Sequence, residues 1–385
     1  MQPLSGDLTE LPKIEFTTDY DLILEKIQQI NPVNYAKTRN FINGAVTYLS
    51  PYISRGVISV KQVQQAILNK GYKPYEIQRF LQELAWREYF QRVWQAKNEL
   101  IGEDLKQPQP DVLNYQMITA IQTAVTGITM IDEQINNLYA TGYMHNHIRM
   151  YVAAITCNIA KAHWQQPSKW LYHHLLDGDI ASNNCSWQWV SGAFSSKKYY
   201  FNQENINKYT YSNQQNTFLD KPYEEIRLMA VPDILKAASI LELKTVLPTT
   251  TCPYIDTTTP TLIYNAYNLD PIWRKNEIAN RVLLLEPSHF SKYPVSEKVL
   301  EFITQLAKNI KGIQVYCGEV SILQSLYNES NLSVSEAFIS KEHPAFSHYP
   351  GTKDSREWMY PQVNGYYPSF SGFWKQCVKS NLRTS

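Results

Sequence analysis

Residues 141–189, TGYMHNHIRMYVAAITCNIAKAHWQQPSKWLYHHLLDGDIASNNCSWQW, combine a helical pattern with an unusual set of polar side chains. Apolar residues recur there at helical spacing and predict a helix over 144–163. Asn146, Arg149 and Met150 fall together on one face of that helix. Polar groups on a helix inside an apolar bundle cost free energy unless a ligand or a partner group satisfies them. This face is therefore a candidate binding surface.

The same stretch continues with an acidic turn, Asp177-Gly178-Asp179, which is followed by Asn183 and by two tryptophans, Trp187 and Trp189. We expect Arg149 to form a buried ion pair with Asp177, because the two side chains carry opposite charges in apolar surroundings. On spacing alone, two interpretations stay open. The polar residues form either a network that only stabilises a helical core or a site for a ligand.

Residues 1–211 are predicted to form an all-helical domain. Helical periodicity extends over 75–97 and again over 116–140, and Pro167 suits the first turn of a further helix that ends near Leu176. This part of the sequence does not show the period-two alternation of a half-buried strand.

The pattern changes in the second part of the chain. Residues 212–261 end in a stretch rich in Thr and Pro and are predicted to form an extended linker. Residues 262–385 are predicted to form a smaller α/β domain, because short apolar strands at 282–285 and 313–317 alternate with helical segments. The tail at 343–374, rich in aromatic residues, Pro and Gly, is expected to be irregular. The predicted fold class is mostly α, with the helical domain followed by the α/β domain.

The composition restricts the class of protein. The 385 residues are 44% hydrophobic and 13% aromatic, which is too rich for a disordered chain. A net charge of +1 excludes nucleic-acid binding through bulk positive charge but not through a local basic groove. No apolar run approaches the ~18 residues of a membrane span, and the N-terminus lacks a secretory pattern. Five dispersed cysteines without a CxxC pair predict neither a metal site nor an iron–sulfur cluster. We expect a cytoplasmic protein.

Three ordered segments of the chain carry motifs of one family. TGYMHNHIRM (141–150), followed by LLDGDIASNNCSWQWV (175–190), resembles the flavin-binding core of the DNA photolyase/cryptochrome family. Upstream, YAKTRNFINGAVTYLSPYISRGVIS (35–59) resembles the phosphate-binding region of that family, and FLQELAWREYF (80–90) resembles its helix beside the flavin. The resemblance covers about residues 31–210 and implies FAD as the cofactor. Whether an antenna chromophore also binds is left open.

The resemblance implies a set of FAD-binding residues. They are Tyr35, Thr47, Tyr48, Leu49, Ser50, Phe80, Arg87, Arg149, Asp177, Gly178, Asp179 and Asn183. The run 47–50 would contact the pyrophosphate and the ribityl chain through hydroxyl and backbone N–H groups. Asp177 and Asp179 would contact the isoalloxazine and adenine sides of the folded cofactor. Asn183 would face flavin N5, where a neutral amide helps to stabilise reduced FADH⁻.

The resemblance also implies a pocket for a flipped cyclobutane pyrimidine dimer. Its residues would be Glu83, Trp86, Asn146, Met150 and Trp189, with His147 at a DNA-contacting position where many members of the family carry Arg. The two tryptophans would offer flat apolar walls, and Glu83 would hydrogen-bond to the pyrimidine edges. Core packing is the alternative interpretation of both tryptophans. Candidates for a local basic rim are Arg39, Arg55, Lys197 and Lys198.

Trp187 and Trp164 match the inner and middle members of the tryptophan electron chain of the family. The outer tryptophan is not found, and Tyr115 is the redox-active candidate in the corresponding region. Light-driven reduction of the flavin would then either be weak or end on a tyrosine. Packing in the core is again the alternative interpretation of the two tryptophans.

Together, these residues predict an FAD-dependent, light-driven lyase that splits cyclobutane pyrimidine dimers in UV-damaged DNA by electron transfer from excited FADH⁻. The alternative is a cryptochrome-like blue-light photoreceptor that repairs nothing and acts through a protein partner. Glu83, Met150, Asn183 and Trp189 favour repair. His147, the missing outer tryptophan and the position of the α/β domain after the helical domain favour the photoreceptor.

Overall fold

The computed structural model describes residues 14–328 and 331–384, with side chains to residue 380. Its first part is helical, apart from one short strand pair. The elements are α1 (Tyr20–Gln28), α2 (Pro32–Thr38), α3 (Ser50–Ser54), α4 (Val60–Leu68), α5 (Gln78–Lys97), β1 (Met117–Ile118), α6 (Thr119–Gln122), α7 (Thr129–Thr141), α8 (Asn146–Ala154), α9 (Gln165–His174), α10 (Ile180–Ser191), α11 (Gln203–Thr210), α12 (Tyr223–Leu228) and β2 (Ala238–Ser239). β1 pairs with β2 in antiparallel fashion.

The second part contains a parallel sheet with the strand order β5-β4-β3-β6-β7. Its elements are β3 (Thr261–Tyr264), β4 (Asn280–Leu285), α13 (Pro287–Lys292), α14 (Glu297–Ala307), β5 (Ile313–Cys317), α15 (Val320–Ser325), α16 (Val334–Ala337), β6 (Phe338–Lys341), β7 (Thr352–Asp354) and α17 (Phe370–Thr384). The predicted fold class, a helical part followed by a smaller α/β part, is confirmed.

The predicted continuous helix over 116–140 is wrong. The structure has a short strand and two helices there, α6 and α7, with a break between them. Ala124 and Gly127 in the break both adopt left-handed backbone angles, φ 55° and φ 76°. The Asp132 carboxylate accepts hydrogen bonds from the backbone N–H and the hydroxyl of Thr126 at 2.8 and 2.7 Å, which stabilises the break.

The tail is not irregular throughout, because α17 begins at Phe370. Ser369 Oγ accepts a hydrogen bond from the Gly372 N–H at 3.2 Å and caps the start of this helix. Phe373 and Cys377 are buried and follow Phe370 at helical spacing, so an amphipathic pattern was present in the sequence. The Pro- and Gly-rich residues before 370 led instead to the prediction of an irregular tail.

Helix α5 is central to the fold, because it contacts α2, α4, α10 and α17. One hydrophobic core includes buried side chains from both parts of the chain, among them Tyr89 of α5, Leu283 of β4 and Phe373 of α17. A second core lies around α7, α8 and α10 and contains Ile148, Trp164 and Trp187. Residues that position the candidate site lie where α5 meets α3 and α10.

No helix in the described ranges is both long and apolar enough to cross a membrane. The first thirteen residues, which belong to the N-terminal stretch that lacks a secretory pattern, lie outside the described residues.

Candidate functional site

The turn between α9 and α10 is joined by hydrogen bonds to the end of α3, which is in turn bonded to α5. Ser54 Oγ donates to the backbone oxygen of Asp177 at 2.9 Å, and Arg55 Nε donates to the Leu176 oxygen at 2.9 Å. Arg87 of α5 then donates to Ser54 Oγ at 3.1 Å. The three segments that share motifs with one family therefore meet at a single place. They belong to α3, α5 and the turn before α10.

Asp179 is the most connected side chain of this place, and it is only 2% exposed. Its carboxylate accepts hydrogen bonds from Gln91 Nε2 at 2.6 Å and from Arg87 Nη2 at 3.3 Å. It also caps the N-terminus of α10 by accepting a bond from the Ser182 N–H at 2.7 Å. A buried carboxylate needs partners of this kind because desolvation penalises its charge. Gln91, which lies one turn beyond Arg87 on α5, is not among the residues predicted from the sequence.

The predicted ion pair between Arg149 and Asp177 is present, with Arg149 Nη2 3.0 Å from the carboxylate. Arg149 Nε also donates to the Met144 oxygen at 2.8 Å, and its guanidinium carbon lies 5.4 Å from the centre of the Tyr143 ring. Gly178 separates the two acids. A Cβ at this position would lie 3.0 Å from the Leu175 oxygen, so a larger residue fits only if the backbone shifts by a few tenths of an ångström.

Aromatic rings border the polar groups. Tyr35 and Phe80 meet edge to face with ring centres 5.2 Å apart, and Tyr48 lies 5.5 Å from Tyr143. Burial raises the pKa of the Tyr48 and Tyr143 hydroxyls, so both side chains stay neutral. Tyr48 has φ 52°, a left-handed conformation that is rare outside glycine and that marks the 47–50 run as a constrained loop.

Asn183 is buried in the first turns of α10. Its amide nitrogen donates to the backbone oxygen of Ser168 in α9 at 2.9 Å and to Asn184 Oδ1 at 3.3 Å. These bonds hold the amide in one orientation beside the Asp177–Asp179 turn. Ser182, directly before it, has a buried hydroxyl without a protein hydrogen-bond partner.

A cavity of about 610 Å³ borders this cluster on the side of the α/β part. Ser54, Arg87 and Gln91 line it from the helical part, and Asn268 and His343 line it from the loops after β3 and β6. The polar cluster around Asp179 therefore lies between the interior of the helical part and the contact with the sheet.

Two of the residues predicted to contact the lesion, Glu83 and His147, are bonded to the neighbouring residues Arg39 and Asn40. We call this edge of the helical part the lesion rim. Glu83 Oε1 is 3.2 Å from Arg39 Nε and 3.3 Å from Arg79 Nε. His147 Nδ1 is 2.9 Å from the backbone oxygen of Asn40, the residue after Arg39. Burial lowers the pKa of His147, so its imidazole is neutral near pH 7. Asn146, beside it at the start of α8, is exposed.

The two tryptophans predicted to line the lesion pocket, Trp86 and Trp189, contact different parts of the chain. Trp86 stacks on Phe370 of α17, with ring centres 3.9 Å apart and an angle of 11° between the planes. Trp189 is 38% exposed, and it contacts the Tyr199 ring at 6.1 Å. Sequence analysis missed the Phe370 contact, because nothing local in the sequence pairs the tail with α5.

The two predicted electron-chain tryptophans are both buried, and Trp164 donates its indole N–H to Asp104 Oδ1 at 2.7 Å. The ring of His163 lies 5.9 Å from Trp164 and stacks on Tyr115 at 5.1 Å. Tyr115 is 68% exposed. An aromatic path therefore runs from the buried Trp164 to the surface through His163, a residue that sequence analysis missed.

One predicted member of the basic rim is misplaced. Arg55 is fully buried and donates to backbone oxygens of the turn before α10, so it contributes no charge to the surface. Lys197 is exposed, and Lys198 forms an ion pair with Asp111 at 2.8 Å.

Comparison with known proteins shows which family the helical part of this chain resembles. Residues 80–227 match a family model described as the FAD binding domain of DNA photolyase. The resemblance to the DNA photolyase/cryptochrome family is thereby confirmed, and the matched segment contains Arg87, Arg149, Asp177, Asp179 and Asn183.

Individual relatives agree with this family. The deoxyribodipyrimidine photo-lyase of Agrobacterium fabrum is 31% identical over 166 residues, which cover 41% of this chain and 34% of the relative. The deoxyribodipyrimidine photo-lyase of a Synechococcus strain is 32% identical over 170 residues, which cover 42% of this chain and 35% of the relative. Cryptochrome-1 of Arabidopsis thaliana is 29% identical over 175 residues, which cover 42% of this chain and 25% of the relative. The matches to the two photo-lyases thus span about a third of their length.

Among solved structures, a class III photolyase from Agrobacterium tumefaciens is 27% identical, with a TM-score of 0.40, over 45% of this chain and 38% of that one. A Synechocystis cryptochrome is 22% identical, with a TM-score of 0.45, and the match covers 54% of this chain and 46% of that one.

Proposed function

We propose that this chain binds FAD between α3, α5, α8 and α10 and uses it to split cyclobutane pyrimidine dimers in DNA under blue light. The observation that carries the proposal is the convergence of three separate segments on the Asp177–Asp179 turn, where Arg87 and Arg149 each meet a carboxylate. The family match of residues 80–227 supports the cofactor.

The residues present suit FAD. The unpartnered buried hydroxyl of Ser182 offers a hydrogen-bonding group to a polar ligand, and Tyr35 and Phe80 offer apolar ring surface. When bound and reduced, FAD supplies the excited electron that opens the dimer. The chain itself would exclude water, orient Asn183 and balance the charges of Arg87 and Arg149 with the two aspartates.

For the lesion, we propose contacts from Glu83, Asn146, Met150 and Trp189. The exposed Trp189 offers a ring face to a flipped base. Trp86, which is partly buried, would take part through its remaining exposed surface, since Phe370 covers one of its faces.

A photoreceptor without repair activity is the second candidate function. The observation that favours it is the neutral His147 on the lesion rim, because a neutral imidazole binds a DNA phosphate more weakly than arginine does.

The test uses the purified full chain, reduced anaerobically and mixed with an oligonucleotide that carries one thymine dimer. Under blue light, we expect the absorbance of intact thymine to recover, while a matched dark sample stays unchanged. Bound FAD without any recovery would contradict the repair function and favour the photoreceptor.

The path from Trp164 to Tyr115 makes a separate prediction. Tyr115→Phe is expected to slow light-driven reduction of the oxidised cofactor by an external reductant several-fold, because phenylalanine is not readily oxidised. Repair by protein that has been reduced beforehand should stay unchanged. Tyr254→Phe is the control, since Tyr254 is 82% exposed and lies in the loop before β3. Equal rates of reduction in Tyr115→Phe and wild type would refute a role for this path.

A further inference from the structure

We infer that the ring pair of Phe41 and Tyr211 is a stacking platform for unpaired DNA bases, so that this chain prefers dimers in single-stranded or locally unpaired DNA. The inference rests on the proposed function, and it adds the strand state of the substrate.

The two rings form a partly exposed stack on the surface. Phe41 and Tyr211 have ring centres 5.4 Å apart with an angle of 25° between their planes, and Phe41 also contacts Tyr209 at 5.1 Å. Tyr211 is 49% exposed. A partly exposed aromatic pair offers flat ring surface on which a base can stack.

The loop that carries Phe41 is held rigidly. Thr38 Oγ1 accepts a hydrogen bond from the Ala45 N–H at 2.9 Å and closes the loop, and the Ile42 N–H donates to the Tyr209 oxygen at 2.9 Å. A Cβ at Gly44 would lie 2.0 Å from the Thr38 oxygen, so the loop requires glycine there. A rigid platform loses little conformational entropy when a base stacks on it.

The same loop connects the platform to the proposed lesion contacts. Arg39 pairs with Glu83 at 3.2 Å, and the backbone oxygen of Asn40 lies 2.9 Å from His147 Nδ1. Phe41 follows directly in the sequence. The ring pair therefore lies beside the rim where a flipped dimer would enter, at the place where the flanking nucleotides would pass.

The charges around the platform suit a phosphate backbone. Segments 34–45 and 205–212 contain Lys37, Arg39 and Lys208, of which Arg39 is already paired with Glu83. Lys37 and Lys208 are therefore the cations that we expect to follow the phosphates. Lys208 Nζ lies 5.4 Å from the centre of the Tyr209 ring. Cations beside exposed aromatic rings are the combination that binds unpaired strands, because the cations follow the phosphates and the rings take the bases.

A base can stack on these two rings only if it is not already stacked between neighbours in a paired duplex. In a paired duplex both faces of each base are occupied by neighbouring bases, so a protein ring has no face to stack on. In an unpaired strand each base offers a face, and stacking one base on an aromatic side chain corresponds to about tenfold in affinity or more.

The experiment measures dissociation constants in the dark at one fixed salt concentration. The full-length wild-type protein and the variants Phe41→Leu and Tyr211→Asn are titrated with one thymine-dimer oligonucleotide in three forms: single strand, unpaired bubble and full duplex. Asparagine is chosen at 211 because this residue has φ 57°, which asparagine tolerates. We expect each variant to lose about tenfold in affinity for the single strand and the bubble, and less than twofold for the duplex.

Controls separate the possible causes of a loss. Tyr211→Phe keeps the ring and should bind like wild type, as should Tyr254→Leu, which changes an exposed tyrosine elsewhere. Thermal unfolding shows whether each variant is folded. Unchanged affinity in both test variants, or equal losses on all three DNA forms, would overturn the platform while the proposed function stands. Wild-type protein that binds none of the dimer DNAs would contradict the proposed function itself.

Discussion

Asp179→Ala is expected to abolish FAD binding and to lower the free energy of unfolding by roughly 3–5 kcal/mol, the usual cost of removing one partner from a buried charged pair. The carboxylate is buried, and its loss leaves Arg87 and Gln91 without the acceptor that they share. It also removes the cap of α10, which contributes about 1 kcal/mol of that cost. The measurements are the flavin absorbance of the purified protein and its unfolding in urea.

Asp111→Asn is the matched control for this prediction, because Asp111 has φ 62°, which asparagine tolerates. Asp111 also pairs with a cation, Lys198, but its side chain is 66% exposed, so the loss of its charge should cost less than about 1 kcal/mol. Asp179→Asn should recover part of the stability, because an asparagine side chain still caps the helix. An Asp179→Ala protein that retains full FAD occupancy would show that the cofactor lies elsewhere.

Glu83→Ala is expected to reduce dimer splitting at least about tenfold while FAD stays bound, because a hydrogen bond to a charged group is worth roughly 1.5–3 kcal/mol. Arg39 and Arg79 hold the carboxylate at the rim, where it can accept hydrogen bonds from the pyrimidine edges. Trp189→Ala should act in the same direction, because it removes an exposed ring. The measurement is the amount of thymine recovered per absorbed photon by the reduced protein.

Glu301→Ala provides the control for Glu83→Ala, since Glu301 is an exposed acid on α14, away from this rim. It should repair like wild type. Loss of FAD from both Glu83→Ala and Trp189→Ala would show that the pocket has been misplaced, because neither side chain is proposed to hold the cofactor.

Local patterns were sufficient for part of the fold. The strand predicted at 313–317 is β5, and the helix predicted over 75–97 is α5, which begins at Gln78, because each segment carries apolar residues at the spacing of its element. Strands β6 and β7 are short, and β7 has no apolar residue, so their sequences carry little signal. Both exist because they pair in parallel with distant strands, a contact that no local pattern encodes.

In the candidate site too, some contacts can be predicted from the sequence and others depend on how distant segments pack. Opposite charges in apolar surroundings were enough to predict that Arg149 meets Asp177. The link from Arg87 through Ser54 to the turn, and the acceptor that Asp179 offers to Gln91, depend on how helices from separate segments pack together. The covering of Trp86 by Phe370 depends on the path of the whole α/β part between them.

That last contact has a consequence for folding during synthesis. Chains emerge from the ribosome from the N-terminus at about 5–20 residues per second, and each unit folds once its partners have emerged. Trp86 and Tyr89 of α5 emerge early, yet their aromatic partners Phe370 and Phe373 are translated only after every strand of the sheet. The outer face of α5 therefore stays uncovered throughout translation of the second part, and this apolar surface is where a nascent chain would bind a chaperone.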